Sequence, residues 1–337
     1  MKTRGTRRRR VLQCINLALV VVIGVWWWRF TPLPTVGAGR PPGYAARVLL
    51  QRSYATVSPE DEAGYKRLDL DHPTGWLSIF AEPVQTPGAY QRKRPPRPTT
   101  TRRTIVIQPL EPLDAEQKRL LPLLREYAQA FFQLPVRVAA PLRLDDVEND
   151  SRGSATPLNR GRQYLAKAIV DRILMPRVPS DAVAYFGVTG ADLYAGRMNF
   201  VFGQGDFNRR VGVYSLGRYF PTFWNRKRSA DSDKLALRRA CQVLNHEIGH
   251  MFGLPHCVFY HCSMNGSNSL DESDTTPVEY CPLCHRKLLW NIGFDASQRY
   301  KDLRAFFHRH GLAEARWYDS RIAHWRKVTA AKKTAGS

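Results

Sequence analysis

Acidic residues are scarce in this chain of 337 residues: 29 Asp and Glu stand against 51 Lys and Arg, which gives a formal net charge of +22. Such an excess favours association with anionic surfaces, among them lipid headgroups, acidic polymers and nucleic acid. It does not distinguish between these partners, and a solvated surface with basic tails would produce the same balance. Hydrophobic residues make up 43% of the chain, enough for a buried core.

Repeats and nucleic-acid motifs are also missing. The sequence contains no internal repeat, which argues against a solenoid or a propeller. Its Arg and Lys residues cluster without the interleaved aromatic side chains of nucleic-acid-binding motifs. Nucleic acid is therefore not favoured as a partner, and the oligomeric state is not indicated.

Charge is absent from residues 11–28, VLQCINLALVVVIGVWWW, which follow the basic start MKTRGTRRRR. As a helix these residues would span about 27 Å, enough for the hydrocarbon core of a bilayer. Because basic flanks stay in the cytoplasm, we predict a single-pass anchor with the remaining chain on the non-cytoplasmic side. Secretion after signal cleavage is the alternative, with VGA at 36–38 as the cleavage site.

The pattern of apolar residues predicts four regions. After a basic segment and anchor or signal (1–30) comes a linker and poorly assigned basic Pro-rich region (31–103), with 91–103 exposed. A folded domain (104–296) and a basic helical extension (297–337) follow. Within the domain, strands are expected at 104–110, 135–140, 182–194, 199–204 and 211–216, and helices at 115–132, 162–175 and 234–252. This order predicts an α+β fold, a mixed twisted sheet with packed helices.

A histidine motif, HEIGHMFGLPHC, begins at position 246. His246 and His250 lie one helical turn apart, a spacing that suits two nitrogens meeting one zinc ion. Gly253 favours a turn that lets His256 supply a third nitrogen. Three histidine ligands leave the fourth coordination position of the zinc for a water molecule. Glu247 would take a proton from this water as general base. The chemistry so predicted is hydrolysis of a peptide bond.

Four cysteines bunch immediately after this motif, which predicts a second metal site. Cys257 and Cys262 form one short loop, and Cys281 and Cys284 form another, a spacing typical of a closed structural zinc site. Since neighbouring side chains on an extended segment point in opposite directions, His256 and Cys257 can face different metals. Two disulfides are the alternative, particularly in an oxidising compartment.

These motifs together resemble those of the archaemetzincins, a family of metzincin-like zinc metallopeptidases. The resemblance rests on HEIGHMFGLPHC, on C-S-M at 262–264 and on CPLC at 281–284, and it covers about residues 104–296. It implies a metzincin-like zincin domain with an active-site helix and a second zinc-binding loop region, and two zinc ions per chain. His246, His250 and His256 would bind the catalytic zinc, and Met264 would match the Met-turn methionine beneath it.

The resemblance also implies how a peptide or protein substrate binds. Metzincins hold an extended peptide beside an edge strand of the sheet, which supplies unpaired backbone groups. We expect that edge within 199–216, and Val201 as a substrate-binding position. A non-catalytic basic scaffold that binds an anionic polymer or nucleic acid is the alternative function, and salt-dependent binding would identify it.

Overall fold

The computed structural model describes residues 33–153, 161–196 and 198–335, with side chains as far as residue 330. The strands are β1 Thr35–Gly37, β2 Ala81–Pro83, β3 Thr104–Leu110, β4 Val136–Val138, β5 Ser151–Gly153, β6 Arg162–Leu165, β7 Ala182–Thr189, β8 Asp192–Tyr194, β9 Gly203–Gly205 and β10 Val211–Ser215. The α-helices are α1 Tyr44–Tyr54, α2 Pro59–Glu62, α3 Trp76–Ile79, α4 Pro87–Arg92, α5 Ala115–Phe132, α6 Ala166–Ala168, α7 Ala230–Met251, α8 Leu270–Asp274, α9 Pro282–Ile292, α10 Ala296–Arg309 and α11 Glu314–Ala335. The predicted α+β class is confirmed.

The main sheet has five strands in the order β4-β3-β7-β10-β9. The first four are parallel, and β9 pairs with β10 in the antiparallel direction. The sheet is therefore mixed, as predicted, and β9 forms one of its edges.

Both faces of this sheet are buried, because its strands are apolar on both sides. Along β3, Ile105 and Ile107 join a large core with α5 and α7. Val106, between them, joins a smaller core with the helical residues after β6. Parallel strands covered on both faces read as continuous apolar runs, which explains why TIVIQPL was recognisable as a strand.

Helix α7 carries the histidine motif, and its boundaries follow from local chemistry. Ser229 caps its first turn and exchanges hydrogen bonds with Ser232 in a capping box. The helix ends at Met251, and Gly253 adopts a left-handed conformation with φ +83, which glycine tolerates. The chain can therefore reverse directly after the second histidine.

Residues 33–103 pack on the domain that follows, although the sequence predicted a linker and a poorly assigned Pro-rich region there. β1 pairs with β2, and the Tyr90 hydroxyl donates to the Phe252 carbonyl at 2.7 Å. Residues 91–103 are mostly exposed, as predicted, but Arg97 donates to the carbonyls of Trp290 and Asn291. The contacts of Tyr90 and Arg97 are with residues more than 150 positions away, which local composition does not encode.

Two further segments differ from their predicted structure. The helix predicted at 162–175 begins only at Ala166, because Arg162–Leu165 forms β6 and pairs with β5 and β8. It continues as a π-helical stretch, Ile169–Leu174. The strands predicted at 199–204 and 211–216 pair in the antiparallel direction, but the first is limited to Gly203–Gly205.

The prediction of a membrane-spanning or signal helix before the domain is not supported. Among the residues that the structure describes, no helix is both long and apolar enough to cross a bilayer. The longest, α7 and α11, have 22 residues each but carry several charged side chains. Residues 11–28, on which the prediction relied, lie outside the described residues. The prediction of a single-pass membrane protein with its catalytic domain on the non-cytoplasmic side is therefore withdrawn.

Candidate metal centre and catalytic cleft

Three histidines converge where α7 ends. His246 and His250 project from the same face of α7, and their Nε2 atoms lie 3.0 Å apart. The turn at Gly253 brings His256 back beside them, so that one ligand atom from each residue lies within 4.8 Å of the other two. The three residues predicted as ligands are thus brought together.

The outer nitrogen of each imidazole has its own acceptor. The distances from Nδ1 are 2.8 Å to the Ser263 carbonyl for His246, 2.7 Å to the Leu254 carbonyl for His250, and 2.6 Å to the Glu82 carboxylate for His256. A carbonyl can only accept, so the proton of His246 and of His250 must reside on Nδ1. Their Nε2 lone pairs then face the centre of the cluster, which is the tautomer that binds a metal.

Burial keeps these imidazoles in the form that a metal requires. It lowers the pKa of His246 to about 3, with a further contribution from the neighbouring His256. Burial likewise lowers the pKa of His250 well below its usual value. Both rings are therefore neutral at neutral pH, and a neutral imidazole is the ligand for zinc.

Glu247 lies beside the histidines, 5% exposed, under the edge strand β9. Burial raises its pKa to about 8, and the main-chain N–H of Gly205 acts in the opposite direction. An added Cβ at Gly203 would lie 2.6 Å from Glu247 Oε1, and one at Gly205 would lie 2.5 Å from the Glu247 carbonyl. The two glycines of β9 therefore let the carboxylate and the strand approach each other closely.

Met264 packs beneath this region from the loop that follows the histidines. It is fully buried, and a Cβ added at Gly249 would lie 2.5 Å from its sulfur. Glycine at position 249 thus accommodates the close approach of both Met264 and the Tyr280 hydroxyl to α7. The same loop supplies the Ser263 carbonyl that orients His246.

The four predicted cysteines form a second cluster, and all are buried free thiols. One sulfur from each lies within 4.8 Å of the other three, and the Cys257 and Cys281 sulfurs are 3.6 Å apart. A disulfide requires about 2.05 Å, whereas Zn–S bonds of about 2.3 Å in a tetrahedron place sulfurs about 3.8 Å apart. The cluster fits a structural zinc and not two disulfides.

Main-chain donors and neighbouring thiols stabilise negative charge in this cluster. Three N–H groups donate to its sulfurs: Phe259 to Cys257, and Met264 and Cys281 to Cys262. Burial alone would raise the pKa of Cys257, but hydrogen bonds from the other three cysteines hold it well below its usual value, whereas burial raises the pKa of Cys262 and of Cys281. Thiolate is the form that ligates zinc.

His256 and Cys257 face different clusters although they are adjacent in the chain. The Cys257 N–H donates to the Met264 carbonyl at 2.7 Å, and Asn265 donates to the Cys257 carbonyl while accepting from the N–H of Cys262. One short loop therefore ties the third histidine, the methionine and the cysteine cluster together.

Comparison with known proteins identifies the family. Residues 149–289, which contain both clusters, match peptidase family M54. Archaemetzincin-2 of Macaca fascicularis is 31% identical over 266 residues, which cover 70% of this chain and 72% of the relative. The chain belongs to the archaemetzincin family. Archaemetzincins are zinc metallopeptidases, and so is this protein; the predicted family and enzyme class are confirmed.

A shorter relative and a solved structure are also similar to this chain. Archaemetzincin of Thermococcus kodakarensis is 40% identical over 131 residues, 39% of this chain and 69% of the relative. A crystal structure of archaemetzincin from Archaeoglobus fulgidus is 32% identical, with a TM-score of 0.44, and covers 55% of this chain and 99% of that one.

In this archaemetzincin a cleft of about 1070 Å³ opens over the histidines. One wall comes from β9 and the residues that flank it, including Phe202 before the strand and Phe207 after it. The opposite wall includes Trp76, Phe80 and Glu82, which lie in the region that the sequence left poorly assigned. Hydrogen bonds from His256 and Trp76 hold the pKa of Glu82 below its usual value although burial acts to raise it.

Val201, predicted as a substrate-binding position, lines the cleft but precedes the edge strand. Its N–H donates to the Leu193 carbonyl at 2.9 Å, so this donor is not free to pair with a peptide. The free edge comes from Gly203–Gly205 instead. The FGQG sequence carried the signal, since two glycines around one residue indicate close backbone approach. No local pattern indicated Glu82.

Proposed function

We propose that this chain hydrolyses peptide bonds at the histidine cluster, with His246, His250 and His256 holding a catalytic zinc and Glu247 acting as general base. A zinc ion held there supplies a Lewis acid that makes a water acidic and polarises a carbonyl. The observation that carries the proposal is the orientation of His246 and His250. Each ring directs Nδ1 to a main-chain carbonyl, so that each Nε2 faces the centre of the cluster, beside the buried Glu247.

Glu247 is suited to a proton transfer because of its surroundings. Its burial disfavours the charged form, so the carboxylate gains by accepting a proton from a water in the cleft. The same residue can then return the proton to the departing amine. Gly203 and Gly205 hold the edge strand close enough to exclude bulk water from this carboxylate.

The edge strand β9 supports an extended peptide as substrate. Phe202 accepts from Ser215, and Asp206 donates to Val211, both across to β10. Because neighbouring residues of an antiparallel strand alternate in direction, Gly203 and Gly205 turn their main-chain groups away from β10. The Gly205 N–H meets the Glu247 carboxylate, so Gly203 and the Gly205 carbonyl remain for a peptide. A peptide could pair there by strand addition.

We further propose that the four cysteines hold a second, structural zinc, so that the chain binds two ions. A shell of four thiolates has no position for a water, so this ion would not take part in hydrolysis. Its contribution would be to fix the loop from Cys257 to Met264.

Glu247→Ala tests the catalytic proposal. Since Glu247 is not among the proposed ligands, the variant should fold and keep its zinc but lose peptide hydrolysis, measured with a library of fluorogenic peptides. Glu148→Ala, which removes a carboxylate whose side chain is 55% exposed, serves as the matched control. Activity retained in Glu247→Ala would refute the role of the base.

A further inference from the structure

The third histidine differs from the other two in what holds it. His246 and His250 direct Nδ1 to main-chain carbonyls of Ser263 and Leu254, which belong to the loop and turn that follow α7. His256 directs Nδ1 to a side chain, the Glu82 carboxylate, 174 positions earlier in the sequence. Its orientation therefore depends on a separate part of the chain.

We propose that Glu82 is a positioning residue of the catalytic site, which holds the imidazole of His256 so that Nε2 faces the zinc. The inference rests on the proposed function, because it takes His256 as a zinc ligand. Glu82 lies outside residues 149–289, which match the peptidase family, so the segment before the family domain completes the metal centre.

The contact is short and shielded. Glu82 Oε1 lies 2.6 Å from His256 Nδ1, and the two side chains are 13% and 20% exposed. Trp76 Nε1 donates to the same oxygen at 2.6 Å. Its ring also meets the His256 ring edge to face, with centroids 5.0 Å apart. The carboxylate and the indole thus restrict rotation of the imidazole.

A carboxylate acceptor does more than a carbonyl would. Charge-assisted hydrogen bonds are roughly twice as strong as neutral ones, and an anionic acceptor on the outer nitrogen makes the inner nitrogen a more basic ligand. His256 follows a turn and not a helix, so it lacks the rigid backbone support that α7 gives His246 and His250. The stronger bond is placed on the ligand with the weakest local support.

The segment that carries Glu82 is itself fixed to the domain. Glu272 accepts from the Trp76 N–H at 2.6 Å and from the Asn268 N–H at 2.7 Å. The Trp76 ring lies so close to Gly266 that an added Cβ there would be 2.6 Å from it. Pairing of β1 with β2 holds Glu82 from the other side. Glu82 is therefore presented to His256 by a preformed structure.

The test compares zinc affinity in Glu82→Ala, Glu82→Gln and His256→Ala, measured by competition with a chelator on full-length protein. Glu82→Ala should weaken the easily removed zinc by about 10- to 100-fold. Glu82→Gln keeps an acceptor oxygen and the side-chain volume, so it should recover part of that loss; a general failure to fold would not be recovered in this way. Glu126→Gln is the matched control, since Glu126 faces His310 at 3.4 Å, away from the cluster.

A second measurement reads the contact itself. In the zinc-loaded wild type the His256 Nδ1 proton should appear in NMR spectra as a slowly exchanging ring proton, and Glu82→Ala should lose it. If Glu82→Ala keeps wild-type zinc affinity while His256→Ala loses most of it, the positioning role of Glu82 is overturned and the proposed function is not affected. Wild-type affinity in His256→Ala would instead overturn the assignment of His256 as a ligand, and with it the proposed function.

Discussion

Gly203→Ala perturbs the carboxylate of Glu247, the proposed general base, without touching a proposed zinc ligand. The added Cβ would lie 2.6 Å from Glu247 Oε1 and 2.7 Å from its Cδ, whereas ordinary contacts begin at 3.4 Å. The carboxylate must then move by about 0.8 Å, and misplacement by about 1 Å costs roughly 100-fold in rate. We expect kcat to fall by about that factor, or about 2.7 kcal/mol in the barrier.

The fold should tolerate this change. The atoms in conflict are the far end of one side chain, and Gly203 is not among the residues with positive φ. The assay is hydrolysis of a fluorogenic peptide under saturating conditions, with zinc content and thermal unfolding measured on the same samples. Gly43→Ala is the matched control, because an added Cβ there meets nothing within 4 Å.

The origin of the effect can be separated by a double mutant. If Gly203→Ala acts through Glu247, it should cost little more once Glu247 has been replaced by Ala, because the two changes remove the same function. A kcat within twofold of wild type would refute the reasoning. A full additional loss on the Glu247→Ala background would place the effect on the strand instead.

Two further predictions concern the supports of the metal centre. Cys257→Ser should raise the Kd of the catalytic zinc by about tenfold or more, because loss of the structural zinc frees the loop that carries His256. Chelator competition measures this Kd, and Cys241→Ser, which changes another buried thiol, is the control. Wild-type affinity for the catalytic zinc in Cys257→Ser would mean that the two sites are independent. Gly249→Ala should lower the free energy of unfolding by about 1–3 kcal/mol, because the added methyl group overpacks against Met264. The loss should appear as a lower midpoint of urea unfolding than in Gly43→Ala. An unchanged midpoint would contradict the close packing of Met264 on Gly249.

Much of the metal centre could be predicted because its information is local. The spacing of His246 and His250 on one helix face, the glycine turn at Gly253 and the reversal to His256 all follow from residues within one short stretch. The cysteine loops are equally local, and their grouping requires only that Cys257–Cys262 and Cys281–Cys284 meet. The strand at 104–110 and the helix at 115–132 carry continuous apolar or amphipathic patterns, and the structure has both with these bounds.

Three of the failures come from contacts with segments that are not neighbours in the sequence. Arg162–Leu165 has a helical apolar pattern, yet it becomes a strand because β5 and β8 provide hydrogen-bonding partners. Residues 31–103 were predicted as a linker and a poorly assigned Pro-rich region, but Tyr90 and Arg97 dock on the later helices and turns. Glu82 was missed for the same reason, since its role depends on a histidine that follows 174 positions later.

The most direct test of the account is the metal content of the purified protein before and after dialysis against a chelator. Since the histidine cluster includes partly exposed rings in an open cleft while the four cysteines are buried, two zinc ions per chain should be found at first and one afterwards. Peptidase activity should disappear with the first ion and return when zinc is restored. A single zinc that survives dialysis together with full activity would contradict the central claim that the histidine cluster is the catalytic metal site.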